Sequence, residues 1–153
     1  PQMVARLAER IPTLHGWKDG QGDARKYERI MTHVGNRLAW FGGIGDDCVP
    51  GYFAVGVQAY TSSISNIAPK LSLALADAGM KRDFVRLGEL MRKYVHPLYA
   101  IRDRLRGYEV SVMKEAMEML GMPAGPVRAP LVNTRPQDIE DLRKVMEVYK
   151  DML

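Results

Sequence analysis

Three short apolar runs bounded by glycines, separated by segments long enough for helices, constrain this chain more than any other feature. Leu14-His15-Gly16-Trp17-Lys18, Leu38-Ala39-Trp40-Phe41-Gly42 and the stretch from Gly56 to Ser62 have the length and residue types of strands. Between the first two, Tyr27, Ile30, Met31 and Val34 fall on one helical face, and Gly35 follows where a left-handed C-cap is favoured. The order βαβαβ makes parallel strands with right-handed crossovers. Such a set leaves two open edges and too few partners to cover both faces, so more strands are expected upstream. In a (β/α)8 barrel of about 250 residues, five strands would be missing. Val4, Leu7, Ala8 and Ile11 recur at helical spacing straight after Pro1, and the first residue is not methionine, so the sequence is read as a fragment that opens inside an element.

From Asn66 onward the pattern is helical throughout. Leu87, Leu90, Met91, Tyr94, Val95, Leu98 and Ile101 form one apolar stripe, and Met113, Ala116, Met117 and Leu120 form another that stops at Gly121. Thr134 with Gln137 three residues later has capping-box spacing, Pro136 suits the first turn, and Ile139, Leu142, Met146 and Tyr149 are the expected buried face of the helix they open. Met-rich stripes of this kind read as core or subunit interface. Pro123, Gly125, Pro126 and Pro130 mark a rigid connector before that last helix. The expected fold is α/β, parallel strands with helices over residues 1–79 that form the C-terminal part if the whole is a (β/α)8 TIM barrel, followed by a C-terminal helical extension over 80–153.

Composition narrows the function classes. With 46% apolar and 26% charged residues the chain can bury a core, and its apolar stretches are broken too soon to span a membrane. The N-terminus lacks a signal-peptide layout, and the expected location is cytoplasmic. Cys48 is the single cysteine and has no Cys or His at ligand spacing, which supports neither a disulfide framework nor a zinc site. The net charge of +4 is spread among acids; Arg102, Arg104 and Arg106 form the one compact basic run and read as a solvated helix end. No aromatic interleaving suggests nucleic acid as a partner. His15, His33 and His96 share no metal-binding spacing.

Candidate chemistry collects at the carboxyl ends of the strand-like runs, where barrels place it. Lys18 ends the first and leads into Asp19-Gly20-Gln21-Gly22-Asp23, a loop whose glycines allow close approach. Desolvation at such a mouth favours the neutral amine that attacks carbonyls, although a lysine in this kind of turn is commonly just solvated. The second run ends in Phe41-Gly42-Gly43-Ile44-Gly45-Asp46-Asp47, which lacks both the Walker lysine and the dinucleotide fingerprint. Asp46 and Asp47 read as N-caps of the following helix. The third ends in the hydroxyl run Tyr60-Thr61-Ser62-Ser63, suited to a polyhydroxy acid.

At several of these residues the chain resembles the dihydrodipicolinate synthase and N-acetylneuraminate lyase superfamily. The likeness is carried by Gly16-Trp17-Lys18-Asp19-Gly20-Gln21-Gly22-Asp23, Phe41-Gly42-Gly43 and Asn66-Ile67-Ala68-Pro69. Gly107-Tyr108-Glu109-Val110-Ser111-Val112-Met113-Lys114 and Ala124-Gly125-Pro126-Val127-Arg128-Ala129-Pro130-Leu131 lean toward its 5-dehydro-4-deoxyglucarate dehydratase branch, whereas Gly45-Asp46-Asp47 is closer to the synthase. The resemblance implies the second half of a family chain, strands six to eight, with Lys18 as the Schiff-base lysine. It also implies that Gly20, Gly43, Thr61 and Ser63 contact substrate, a small-molecule keto sugar acid. No metal or organic cofactor is implied, and neither is a nucleic-acid or membrane partner. A homo-tetramer is. The family's carboxylate-gripping loop and proton-shuttling tyrosine would lie upstream of Pro1, so these residues alone are expected to be inactive. Alternatives are a synthase or pyruvate-dependent aldolase of the same superfamily, and a non-catalytic helical oligomerisation module.

Overall fold

The computed structural model describes residues 1–153. Its elements run α1 (Gln2–Arg10), β1 (Gly16–Lys18), α2 (Ala24–Val34), β2 (Ala39–Gly42), α3 (Val49–Ala54), β3 (Ala59–Tyr60), α4 (Pro69–Met80), α5 (Phe84–Leu90), α6 (His96–Arg102), α7 (Tyr108–Met119) and α8 (Pro136–Tyr149). The strands form one parallel sheet in the order β1-β2-β3, with Gly16 opposite Ala39, Lys18 opposite Phe41, Phe41 opposite Ala59 and Gly42 opposite Tyr60. This is the βαβαβ order expected from the glycine-bounded runs. Each strand is shorter than its run, because only the residues facing a neighbour complete the ladder.

Local chemistry explains most of the element ends. The Asp23 carboxylate caps α2 by accepting from the Lys26 N–H at 2.9 Å, and Gly35 closes the same helix at φ +69°, a region open to glycine. The capping box expected at Thr134 does not form: Arg135 is the N-cap without a side-chain bond, and the buried Thr134 hydroxyl has no partner. Pro136 at the first helical position forces Arg135 into extended backbone, φ −74° and ψ 152°, which carries Thr134 out of capping reach. Between α5 and α6 the helix continues through a π turn, Met91–Val95, before Pro97, whose nitrogen has no hydrogen to donate.

The main core lies among the C-terminal helices and reaches into the barrel segment. Leu71 and Leu75 of α4, Leu98 of α6, Val112 of α7 and Leu142 of α8 are all fully buried, and they share one cluster with Val49 and Phe53 of α3. Each such side chain contributes about 1.5–3 kcal/mol. A Cβ on Gly79 would sit 2.2 Å from the Phe53 ring, so glycine there is what lets α4 close onto α3. Every residue of the expected stripe from Leu87 to Ile101 is buried. In α8, Leu142, Met146 and Tyr149 are buried, Ile139 is half-buried, and Asp138 joins them as a buried carboxylate.

The Arg102–Arg106 run is not simply a solvated helix end. Arg102 is buried, with its guanidinium 4.2 Å over the Tyr99 ring, while Arg104 pairs with Asp138 at 2.7 Å and Asp141 at 2.9 Å. No helix is long and apolar enough to cross a membrane.

Candidate active site

Strand alternation decides which residues face inward. Trp40 packs on Tyr27 of α2, with ring centroids 5.8 Å apart, and Tyr60 packs on Phe53 of α3 at 6.2 Å, so these side chains point to the helix side. Lys18, Phe41 and Thr61 therefore share the opposite face. The ladder extends past Tyr60, because the Thr61 N–H donates to the Gly42 carbonyl at 2.9 Å. Gly43 lies two residues beyond Phe41, on the same side.

Lys18 and Gly43 are brought into direct contact. A Cβ on Gly43 would lie 2.4 Å from both Cγ and Cε of Lys18 and 2.6 Å from the Asp19 carbonyl oxygen. Only a bare backbone lets the lysine chain run up the sheet there. Gly20 has nothing within 4 Å of its Cβ position, so its loop is open on that side. Lys18 and Thr61 are exposed, and the desolvation expected at a closed mouth is not supplied by these residues: three strands wall only one side.

Ser63 is placed differently from Thr61. Its hydroxyl donates to the Asp46 carboxylate at 2.9 Å and accepts from Nη1 of Arg102 at 2.8 Å. The neighbouring Ser62 hydroxyl also binds Asp46, and that of Tyr60 donates to the Ser72 carbonyl at 2.9 Å. Of the hydroxyl run, Thr61 alone stands on the Lys18 face with its side chain exposed.

Sequence reasoning missed what holds this mouth in place. Tyr27 and Tyr52, both buried, bolt β1 to β2. The Tyr27 hydroxyl lies 2.8 Å from the Trp17 carbonyl and accepts from the Phe41 N–H at 3.1 Å. The Tyr52 hydroxyl donates to the Asp19 carboxylate at 2.9 Å and accepts from the Ile44 N–H at 3.2 Å. Asp19 in turn accepts from the N–H groups of Gln21 at 3.1 Å and Gly22 at 2.8 Å, which folds the loop after Lys18. Burial pushes both tyrosines up to about 12, so these phenols stay protonated at neutral pH and hold position.

Asp46 is not the N-cap expected of it. It is fully buried and makes no cap bond; its carboxylate accepts instead from the N–H groups of Ser63 at 3.0 Å and Ile64 at 3.2 Å and from the Tyr99 hydroxyl at 3.1 Å. The partners lie 16 or more residues away in sequence, beyond the reach of any local pattern. Asp47 is exposed. The Cys48 thiol is half-buried and raised to about 11, first by desolvation and then by Asp47.

Comparison with known proteins bears on the family and the fold. The model of the dihydrodipicolinate synthetase family matches residues 1–149. A probable 5-dehydro-4-deoxyglucarate dehydratase of Bradyrhizobium diazoefficiens is 37% identical over 149 residues, covering 96% of this chain and 48% of that protein. A probable enzyme of the same name from Delftia acidovorans is 35% identical, with 96% and 49% covered. Among solved structures, dihydrodipicolinate synthase from Oceanobacillus iheyensis superposes with a TM-score of 0.88 at 25% identity, covering 98% of this chain and 50% of that one. Proteus mirabilis N-acetylneuraminate lyase superposes at 0.83 and 22% identity, with 99% and 50% covered. The chain thus spans about half the length of the curated relatives it matches, and its strands and helices are the C-terminal part of their TIM barrel. The family model matches nearly the whole chain, and the chain belongs to the dihydrodipicolinate synthetase family.

Proposed function

We propose that the chain carries the lysine-bearing half of a Schiff-base lyase, a decarboxylating 5-dehydro-4-deoxyglucarate dehydratase, with Lys18 as nucleophile. The observation that carries this reading is the seat of Lys18: it ends β1 on the inner face and lies along a glycine that leaves room for nothing else. The dehydratase branch rests on relatives of that name at 35–37% identity.

In this reading neutral Lys18 adds to the ketone and loses water to give an iminium, an electron sink that acidifies the adjacent methylene. A proton leaves that carbon, and the hydroxyl on the next carbon departs as water. Protons then shift from the remaining CHOH group into the new double bond, turning that carbon into a ketone. The carboxylate on the iminium carbon leaves as carbon dioxide, its bonding pair stays on that carbon beside the positive nitrogen and takes up a proton, and hydrolysis of the aldimine frees 2,5-dioxopentanoate and returns Lys18. Gly20 leaves space for substrate, the Gly43 backbone faces it beside Lys18, and Thr61 orients the hydroxyl-bearing tail, as elimination requires. Ser63 serves the same end from behind the mouth. Residues 1–79 provide the barrel part and 80–153 the helical layer against it, and assembly as a homo-tetramer belongs to the same reading.

Borohydride trapping of the natural-length protein tests this directly. Incubation with 5-dehydro-4-deoxyglucarate should leave a reduced adduct that maps to Lys18, with carbon dioxide released when borohydride is omitted. Lys18→Ala should form none; an active Lys18→Ala protein would sink the mechanism. A second reading, a synthase or aldolase of the same superfamily, is favoured by the structural likeness to dihydrodipicolinate synthases. An adduct with pyruvate and no carbon dioxide from the sugar acid would establish it instead.

A further inference from the structure

We propose that Asp46, Tyr99 and Arg102 are positioning residues through which the C-terminal helical layer sets the two loops that carry Gly43 and Thr61. The proposal rests on the lyase reading above and adds the part played by residues that do not touch substrate. Asp46 follows Gly43 by three residues, and Ser62 and Ser63 follow Thr61 directly. The Asp46 carboxylate gathers the second loop through the Ser62 hydroxyl and through both the hydroxyl and the N–H of Ser63. Tyr99 fixes the first loop from α6: its hydroxyl accepts from the Asp46 N–H at 2.6 Å and donates to the carboxylate at 3.1 Å. Arg102, one turn further on, stacks on the Tyr99 ring and donates to the Ser63 hydroxyl at 2.8 Å and to the Glu109 carbonyl at 3.2 Å.

A fully buried carboxylate is an expensive way to join three segments. Stability alone does not call for it, since apolar packing of similar volume commonly serves as well or better. A satisfied polar network does something packing cannot: it admits one arrangement of its members, because every alternative strands a charge or a donor. Here the members are the ends of two loops and one helix. The π turn Met91–Val95 lies immediately before α6 and offsets its phase from that of α5, so it contributes to the direction in which Tyr99 points. A Cβ on Gly45 would lie 2.9 Å from the Tyr99 hydroxyl, so the first loop reaches that hydroxyl at a residue without a side chain.

The geometry separates two reactions of one active site. Imine formation needs Lys18, whose own loop is held by Asp19 and Tyr52; the Tyr52 hydroxyl also accepts from the N–H of Ile44, next to Gly43, so the seat of Lys18 is anchored apart from the network that begins at Asp46. Expulsion of the hydroxyl needs the substrate tail aligned by the loops after β2 and β3. Tyr99→Phe and Asp46→Asn in the natural-length protein should therefore lower kcat on 5-dehydro-4-deoxyglucarate tenfold or more, with a smaller change in KM. The rate of borohydride-trapped adduct formation between Lys18 and pyruvate should stay within about threefold of wild type, since pyruvate has no tail for the displaced loops to misalign. Arg102→Lys, which keeps the charge but loses the planar stack and one donor, is a milder variant should Asp46→Asn fail to fold, and an intermediate loss of kcat is expected. Parallel loss of both reactions, or an unchanged kcat alongside a lowered Tm, would show that the network only holds the fold and would overturn the proposal. A wild-type protein that forms no Lys18 adduct, or forms one without releasing carbon dioxide, refutes the dehydratase reading first and this proposal with it.

Discussion

Replacing Gly43 with alanine is the sharpest single test of how this mouth is built. The φ of Gly43 lies outside the left-handed region, so alanine is not strained by the backbone itself, and the effect must come from what the new methyl meets. It meets Lys18 Cγ and Cε at 2.4 Å and the Asp19 carbonyl at 2.6 Å, where ordinary contacts begin at 3.4 Å. The shortfall is about 1 Å on the lysine side, and the carbonyl cannot yield by rotating a side chain. Lys18 must move by roughly that distance, and a misplacement of ~1 Å at a reacting group costs on the order of 10²-fold in rate, or about 2.7 kcal/mol. The assay is the rate of borohydride-trapped adduct on Lys18 in the natural-length protein, read by intact mass. Gly51→Ala is the control: its Cβ would meet only Ala24 Cβ at an ordinary 3.4 Å, inside α3, and the helix should gain up to about 1 kcal/mol. Adduct formation by Gly43→Ala at a rate within threefold of wild type would refute the idea that this glycine exists to seat the lysine.

Three further outcomes follow from the same contacts. Tyr52→Phe strips a donor from the Asp19 carboxylate in a buried setting and the acceptor from the Ile44 N–H in a partly buried one, and should lower stability by about 1–3 kcal/mol; a denaturant midpoint shift worth under 0.5 kcal/mol would contradict the bolt. The Asp138 carboxyl is held below the ordinary carboxylate range first by the Tyr108 hydroxyl and then by Arg104, so its stabilisation is complete above about pH 4 and drains away as pH falls through the lowered value. Asp138→Asn should therefore flatten the acid limb of the stability curve, and an unchanged acid limb would remove Asp138 from it. Cys48, raised to about 11, should react slowly with iodoacetamide at pH 8 in the folded protein and rapidly once unfolded; equal rates would mean that its half-buried site does not desolvate the thiol.

Periodic and local signals were legible from the residues alone. Alternating strand-like and helical segments located β1, β2 and β3 and their parallel order, and the stripe from Leu87 to Ile101 located a buried helical face, because burial imposes its period on the sequence. Lys18 was legible as a strand-end lysine before a glycine loop, and the quoted motifs pointed to the family that the comparison establishes. Features that depend on distant partners were not legible. Asp46 looks like an N-cap because Asp before a short helix usually is one, and nothing within ten residues announces Ser62, Ser63 or Tyr99. The hydroxyl run Tyr60 to Ser63 looks like one substrate-facing set, yet alternation and Asp46 send its members to different places.

By itself, then, the sequence determined the kinds of element, their order and the lysine at the end of β1, since propensity, period and glycine placement act over a few neighbouring residues. Tertiary structure alone decided that Gly43 yields its space to Lys18, that Tyr52 ties Asp19 to Ile44, and that α6 grips two loops through Asp46. These are contacts between groups far apart along the chain, and which buried donor meets which acceptor is settled only once the helices have closed over the sheet and excluded water from both.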